Sequence, residues 1–190
     1  PVGSTNTIIA GMYQDRGLMP SKGMAGMMAA AILSDTVMFK SPTCTERDHK
    51  MAERLARMAD ISLDELGKAI FSGSIGGKSA EELLYTDYKE FHIAGHDIAV
   101  SQITCVDIPS MLERKEEFLD LMRKKARKED LTMVILMLTD VLLEGTQLIY
   151  VGDDDTIQQA FGVTPKDGTV FLPRVMSRKK QIIPMLSALW

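Results

Sequence analysis

A glycine-rich segment at residues 72–77 divides this chain into two parts with different hydrophobic patterns, and this division constrains the fold more than any other feature. Three glycines in six residues are typical of a flexible joint. Apolar residues recur only at helical spacing before the segment, whereas alternating and continuous apolar runs follow it. We therefore predict a helical region over residues 1–73, a linker with a short helix over 74–84, and an α/β domain over 85–190.

Four helical patterns fill the first region. The second pattern, over residues 23–37, is apolar on nearly every side, and we expect this helix to be buried. Three of the patterns follow residues that suit an N-terminal cap, namely Ser4 or Thr5, Thr45 and Ser62.

The second region mixes strands with helices. Alternation over residues 89–93 and 98–104 predicts a hairpin, and one long amphipathic helix is predicted over 107–128. Residues 131–138 are almost continuously apolar, which is typical of a central strand buried on both faces. Further strands are predicted at 147–151 and 169–172, with a helix over 154–161. These elements indicate an α/β domain with a mixed sheet.

Composition narrows the class of protein. The chain has 190 residues, of which 45% are hydrophobic, and a net charge of -4. The hydrophobic fraction is sufficient for a buried core, and the net negative charge argues against binding nucleic acid over a large surface. No apolar run approaches the roughly 18 residues that a membrane-spanning helix needs, and no secretory signal is visible, so we expect a cytoplasmic protein without membrane contact. Cys44 and Cys105 lack motif spacing and are expected to be free thiols.

A few charged residues could carry chemistry. Asp35 ends the most apolar helix, where a carboxylate is costly unless it is hydrogen-bonded, paired or metal-bound; a helix-end carboxylate that reaches solvent is the more common case. Arg178, Lys179 and Lys180 are adjacent cations that suit a compact polyanion, although solvated basic turns are more common. Lys89 could reach a cleft from its strand, and an ordinary strand-end lysine fits equally well.

Several segments of the chain occur together in one enzyme family. They are residues 1–7 (Pro-Val-Gly-Ser-Thr-Asn-Thr), 30–36 (Ala-Ala-Ile-Leu-Ser-Asp-Thr), 39–43 (Phe-Lys-Ser-Pro-Thr), 78–84 (Lys-Ser-Ala-Glu-Glu-Leu-Leu), 87–91 (Asp-Tyr-Lys-Glu-Phe), 139–140 (Thr-Asp) and 177–181 (Ser-Arg-Lys-Lys-Gln). Over essentially its whole length, the chain resembles the family II inorganic pyrophosphatases, which are manganese-dependent enzymes of the DHH phosphoesterase superfamily.

The resemblance implies an enzyme that hydrolyses inorganic pyrophosphate to two orthophosphates, with Mn²⁺ as its cofactor and Mg²⁺ or Co²⁺ as alternatives. It implies that residues 1–73 end a metal-binding DHH domain, that 85–190 form the substrate-binding domain, and that the active site lies between the two domains. Asp35 matches a metal ligand of the family, and the residues that match its pyrophosphate-binding cations are Lys89, Arg178 and Lys179. The resemblance also implies a homodimer of the full-length protein.

The chain departs from the family in one large respect. The family's other metal ligands come from a His-x-x-x-Asp-x-Asp motif, a further Asp and an Asp-His-His motif, all upstream of the segment that matches Pro1. One carboxylate cannot hold a two-metal site by itself. We expect the chain to be the C-terminal part of a longer enzyme, with no catalytic residue of its own and no activity alone.

Two other functions are kept as alternatives. Another DHH-type phosphoesterase would cleave polyphosphate or short nucleotides, but the glycine-rich nucleic-acid-binding segment usual near the C-terminus of those relatives is not found. A non-catalytic phosphate-binding module would use the basic turn at residues 177–181 only to dock anions, with Asp35 in a structural role.

Overall fold

The chain divides into two units, Pro1–Ser74 and Ile75–Trp190. Its computed structural model describes residues 1–73 and 75–190, so that Ser74, which falls in the predicted linker, lies outside the described residues. Helices are the regular elements in the described part of the first unit, whereas the second unit combines helices with a mixed sheet. The predicted fold class, a helical region followed by an α/β domain, is confirmed.

Helix α2 lies at the centre of the first unit. The described helices of this unit are α1 (Thr5–Asp15), α2 (Lys22–Asp35), α3 (Glu46–Ala59) and α4 (Leu63–Gly73). α2 packs against the other three and fully buries Ala25, Ala29 and Ile32, because small and aliphatic side chains recur on its inner faces. Met24 and Met27 are exposed, so the expectation of burial on nearly every side is wrong for one face of this helix.

Side-chain caps fix where these helices begin. Ser4 Oγ accepts a hydrogen bond from the Asn6 amide, Thr45 begins α3 within a capping box, and Ser62 Oγ accepts from the Glu65 amide. The three predicted caps are confirmed, since each is a hydroxyl residue placed just before a helical pattern. At the other end of the unit, α4 continues to Gly73 and therefore extends into the segment predicted as a joint.

A mixed sheet forms the centre of the second unit. Its strands are β1 (Tyr88–Ile93), β2 (His96–Cys105), β3 (Met133–Asp140), β4 (Gly145–Val151) and β5 (Thr169–Pro173). They lie side by side in chain order; β2 and β3 are parallel, and the other neighbouring pairs are antiparallel. The predicted hairpin is the antiparallel pair of β1 and β2.

Helices cover both faces of this sheet. One face packs against α5 (Ala80–Thr86), α6 (Ile108–Leu112) and α7 (Lys115–Glu129), and the other packs against α8 (Asp154–Phe161), a π-helical turn (Arg178–Ile182) and α9 (Ile183–Leu189). All eight residues of β3 are buried, and alternate side chains enter the two cores. This double burial explains the continuous apolar run from which a central strand was predicted.

The helix predicted over residues 107–128 is wrong, because the structure breaks it into α6 and α7. At the break, the Arg114 backbone (φ -96°, ψ 11°) leaves helical geometry. The Arg114 guanidinium donates to the Lys78 carbonyl at 3.1 Å and to Glu117 at 3.1 Å. The helix is thus interrupted where Arg114 contacts Lys78, which lies 36 positions away. The pattern of apolar residues along the helix does not reveal this interruption.

The short helix within the predicted linker is part of a core. Ala80, Leu83 and Leu84 of α5 are buried against β2 and α7, in a core that β3 also lines. A helix that buries three side chains in this core is held in place by the second unit, which begins at Ile75.

The described helices and the two cysteines bear on the expectations drawn from composition. Among residues 1–73 and 75–190, no helix has both the length and the apolar character that crossing a membrane requires. Cys44 is half-buried, Cys105 is buried, and both are free thiols. Burial raises the pKa of the Cys105 thiol to about 12, so this thiol is protonated and unreactive at neutral pH.

Candidate functional site

In the first unit, the predicted metal ligand Asp35 is the last residue of α2. Its side chain is exposed, and its Oδ2 accepts a hydrogen bond of 2.6 Å from Ser4 Oγ. Solvent and this hydroxyl therefore remove the cost of placing a carboxylate at the end of an apolar helix. The hydrogen bond engages one carboxylate oxygen, which leaves Oδ1 available to a ligand.

A buried carboxylate, Asp48, fixes the residues around Ser4. It accepts hydrogen bonds from the Gly3 amide (2.8 Å), the Ser4 amide (3.3 Å), the Thr7 hydroxyl (2.5 Å), and both the amide and the hydroxyl of Thr45 (2.8 and 2.7 Å). Burial disfavours the charged carboxylate, but these hydrogen bonds outweigh that effect and lower the pKa of Asp48 to about 2. Asp48 thus joins the start of α1 to the start of α3 as a permanent anion at neutral pH.

The segment directly after Asp35 has an unusual backbone. Val37, Met38 and Phe39 all have positive φ values, of 52°, 50° and 66°. A left-handed conformation costs a non-glycine residue roughly 1–2 kcal/mol. The Phe39 amide donates to the hydroxyl of buried Thr36, and the Phe39 ring stacks on His49 with centroids 4.0 Å apart. Strain that persists under such constraint is typical of functional segments.

In the second unit, Arg178 begins the π-helical turn and is only 6% exposed. Its Nη1 donates to the carbonyls of Asp87 (2.6 Å) and Val100 (2.9 Å), and its Nη2 donates to Asp87 Oδ1 (2.8 Å). Val100 is also the partner of Lys89 across the antiparallel pair of β1 and β2. The structure therefore brings the strand position of Lys89 and the guanidinium of Arg178 to the same part of the sheet.

Two of the predicted cations are exposed. Lys89 on β1 and Lys179 on the π-helical turn both face solvent, and neither forms an ion pair within residues 1–73 and 75–190. The turn begins at Ser177, whose hydroxyl accepts from the Lys180 amide at 3.2 Å. Single π-helical turns occur frequently at functional sites, because they displace side chains from their regular helical positions.

Buried polar side chains of the sheet hold the backbone that precedes this turn. Thr146 on β4 donates to the Val175 carbonyl at 2.5 Å, and Gln102 on β2 donates to the Met176 carbonyl at 3.1 Å. Gln181 Oε1 accepts from the Met176 amide at 2.9 Å. Arg178 is therefore carried by a segment that three side chains from the sheet and the turn fix in place.

The described residues offer one carboxylate, rather than a cluster, to a metal ion. Within the two described ranges, no group of three His, Cys, Asp or Glu side chains is close enough to bind a metal. Asp35 nevertheless fits as a single ligand, since its exposed carboxylate is the hard oxygen donor that Mn²⁺ accepts.

Sequence reasoning missed the residues that hold these side chains. Asp87 and Gln181 both lie inside segments singled out for their resemblance, so their presence there was an available signal. Asp48 was not selected as a candidate residue from the sequence. Its hydrogen bonds to residues more than 40 positions away have no local signature.

Comparisons with known proteins identify the family and the relatives that this chain resembles. The DHHA2 domain family matches residues 64–189. A manganese-dependent inorganic pyrophosphatase of Methanothrix thermoacetophila is 41% identical over 99% of this chain, and a cobalt-dependent inorganic pyrophosphatase of Clostridium perfringens is 43% identical over 98%. The chain spans 62% of the first relative's length and 35% of the second's.

A solved structure is similar as well. It comes from Methanococcus jannaschii and is assigned to the family II inorganic pyrophosphatases. The TM-score is 0.81 with 34% sequence identity, and the alignment covers 99% of this chain and 65% of the other. The similarity therefore includes the residues of both units described above.

Proposed function

Since this chain belongs to the DHHA2 domain family, we propose that it supplies the phosphate-binding cations and one metal ligand of a metal-dependent inorganic pyrophosphatase. The observation that carries the proposal is the arrangement in the second unit, where Arg178 is fixed beside the strand position of Lys89. The names of the similar proteins support the same substrate and a manganese or cobalt cofactor.

The chemistry of pyrophosphate suits these side chains. Pyrophosphate carries several negative charges, and hydrolysis concentrates further charge on the leaving phosphate. We assign Lys89, Arg178 and Lys179 to binding its oxygens: the guanidinium as a planar fork and the two ammonium groups as point charges. Cations that are fixed before the reaction neutralise developing charge without reorganisation, which is the most effective form of electrostatic catalysis.

We assign Asp35 to binding the metal through its exposed carboxylate. Bound metal ions supply an activated water molecule and polarise the attacked phosphorus in enzymes of this chemistry. Within this chain, Ser4 orients the Asp35 carboxylate, and Asp48 holds Ser4. Because one carboxylate is too few for a metal site, we propose that residues 1–190 alone do not hydrolyse pyrophosphate.

Phosphate release by the full-length protein with Mn²⁺ tests the substrate. We expect pyrophosphate to be hydrolysed much faster than polyphosphate or a short oligonucleotide. Preference for one of the latter two would favour the other DHH-type phosphoesterase instead. Binding of pyrophosphate without any turnover would favour the non-catalytic module. Manganese-dependent turnover by residues 1–190 alone would contradict the assignment of an incomplete site.

Two variants of the full-length protein separate metal binding from substrate binding. Asp35→Asn should lower both Mn²⁺ affinity, measured by calorimetry, and activity. Lys89→Ala should raise the KM for pyrophosphate and leave Mn²⁺ affinity unchanged. Lys124→Ala is the matched control, because it removes an exposed cation from α7. Loss of Mn²⁺ binding in Lys89→Ala would contradict this division of roles.

The wider properties predicted from the sequence belong to the same proposal. We propose a cytoplasmic homodimer in its full-length form, with pyrophosphate as its partner and without contacts to nucleic acid or membrane. Light scattering of the full-length protein measures the mass of the assembly, and a monomer at micromolar concentration would contradict the dimer.

A further inference from the structure

We infer that Asp87 is a positioning residue of the phosphate site, which holds the end of the Arg178 guanidinium so that its Nε edge is presented to a phosphate group. The inference deepens the proposed function and rests on it. It assigns a role to a residue that sequence reasoning did not select and that is not itself a candidate for contact with the substrate.

Hydrogen bonds to the protein use only part of the Arg178 guanidinium. A guanidinium has five N–H donors in a rigid plane. Both donors of Nη1 are used, on the carbonyls of Asp87 and Val100, and one donor of Nη2 is used on Asp87 Oδ1. The remaining donors are the Nε hydrogen and the second Nη2 hydrogen. Because Asp87 accepts from both Nη1 and Nη2, the Nη2 hydrogen that it uses is the one that faces Nη1. The other Nη2 hydrogen and the Nε hydrogen lie side by side on one edge of the plane.

The edge formed by Nε and Nη2 suits a phosphate group. Two parallel N–H groups on one edge form the fork that binds two oxygens of a phosphate or carboxylate. If Asp87 Oδ1 accepted from Nε instead of Nη2, the two remaining donors would be the hydrogens of Nη2, which diverge and could not bind one phosphate bidentately. In the observed pairing, the protein therefore binds the Nη1 end of the guanidinium. The Nε and Nη2 donors remain together as a complete fork.

The backbone on either side holds Asp87 in place. It lies directly between α5 and β1, and its carbonyl also accepts from the Gln102 amide at 3.2 Å. The Asp87 side chain is 45% exposed, whereas that of Arg178 is only 7% exposed. The carboxylate and the carbonyl of Asp87 therefore both bind the nearly buried guanidinium of Arg178. These two contacts fix the plane of the guanidinium and also neutralise its charge.

Two variants distinguish whether Asp87 acts by positioning the Arg178 guanidinium or only by neutralising its charge. Asp87→Ala removes both the carboxylate contact and the charge, whereas Asp87→Glu keeps the charge and displaces the carboxylate by one methylene. Glu90→Gln is the matched control, since it removes a neighbouring acid on β1 that pairs with Lys125 rather than with Arg178. The measurement is calorimetric binding of inorganic pyrophosphate by the full-length protein, alongside the KM.

We expect Asp87→Ala to weaken pyrophosphate binding about tenfold and Asp87→Glu about fivefold, as for the loss of one charged contact, while Glu90→Gln stays within about twofold of wild type. In an Arg178→Ala background, Asp87→Ala should cause no further loss, because Asp87 acts through Arg178. Should Asp87→Ala not fold, the comparison of Asp87→Glu with Glu90→Gln still decides.

Unchanged binding in Asp87→Glu would overturn the inference, as would an equal loss from Asp87→Ala with and without Arg178. These results leave the proposed function intact, provided that the wild-type protein hydrolyses pyrophosphate. Conversely, a wild-type protein that binds pyrophosphate without hydrolysing it would refute the proposed function and leave the role of Asp87 standing.

Discussion

Ser4 Oγ lies 2.6 Å from Asp35 Oδ2, so that the hydroxyl that caps the start of α1 donates a hydrogen bond to the carboxylate at the end of α2. One side chain thereby serves both as a helix cap and as the orienting partner of a proposed metal ligand. Partners of this kind raise metal affinity, because they hold the ligand in one orientation before the metal arrives.

Ser4→Ala should therefore weaken Mn²⁺ binding by the full-length protein by about tenfold, at the lower end of the effects known for such partners. Loss of the cap should also cost about 1 kcal/mol of stability. Calorimetric titration with Mn²⁺ and thermal melting measure the two effects. Ser62→Ala, which removes the cap of α4, controls for stability alone. Equal Mn²⁺ affinity in the two variants would contradict an orienting role for Ser4.

Asp48 should make the stability of the first unit depend on pH in the acid range. Its pKa is about 2 in the folded protein, below the usual 3.8. The charged form is therefore favoured by folding, and its contribution of on the order of 2 kcal/mol is present above pH 4 and lost as the pH falls towards 2. Asp48→Asn should be less stable at pH 7 and should lack this part of the pH dependence. Denaturant unfolding at several pH values measures the stability of the wild-type protein and of Asp48→Asn. If stability depended on pH in the same way in both proteins, the role of Asp48 would be contradicted.

Thr146→Val should affect both stability and substrate binding. The Thr146 hydroxyl is buried and donates to the Val175 carbonyl, which the variant would leave without this donor at a cost of about 1–3 kcal/mol. Because this bond holds the segment that carries Arg178, the KM for pyrophosphate should rise as well. Thr169→Val is the control, since Thr169 donates to the Leu148 carbonyl elsewhere in the sheet. An equal KM in the two variants would show that the Thr146 contact is only structural.

Local patterns were sufficient to predict most elements of the fold. The eight-residue strand β3 is buried on both faces and therefore carries a continuous apolar run, and Thr45 marks the start of α3 through its own capping chemistry. Patterns failed where a distant residue decides the backbone. The break at Arg114 coincides with its bond to Lys78, and neither partner has a local signature of that contact.

The candidate site likewise contains residues that the sequence indicated and residues that only the folded chain shows. Asp35, Lys89, Arg178 and Lys179 were selected through the resemblance to a family, and their roles remain predictions. Asp48 and its partners near Gly3 are separated by 45 positions, so only the folded chain reveals them. The left-handed backbone at residues 37–39 was equally hidden, because none of the three residues there is glycine.

The sheet of the second unit has its strands in the order in which the ribosome makes them. Each strand that leaves the exit tunnel therefore finds its hydrogen-bonding neighbour already synthesised, and the sheet can grow from one edge to the other during translation. Since β1, β2 and β3 are complete once Asp140 has emerged, nascent chains arrested beyond this point can already pair the central strand on one side. Short turns join β1 to β2 and β3 to β4, and such local pairing favours rapid folding, whereas the parallel pair of β2 and β3 brings together residues 35 positions apart, such as Ile98 and Met133.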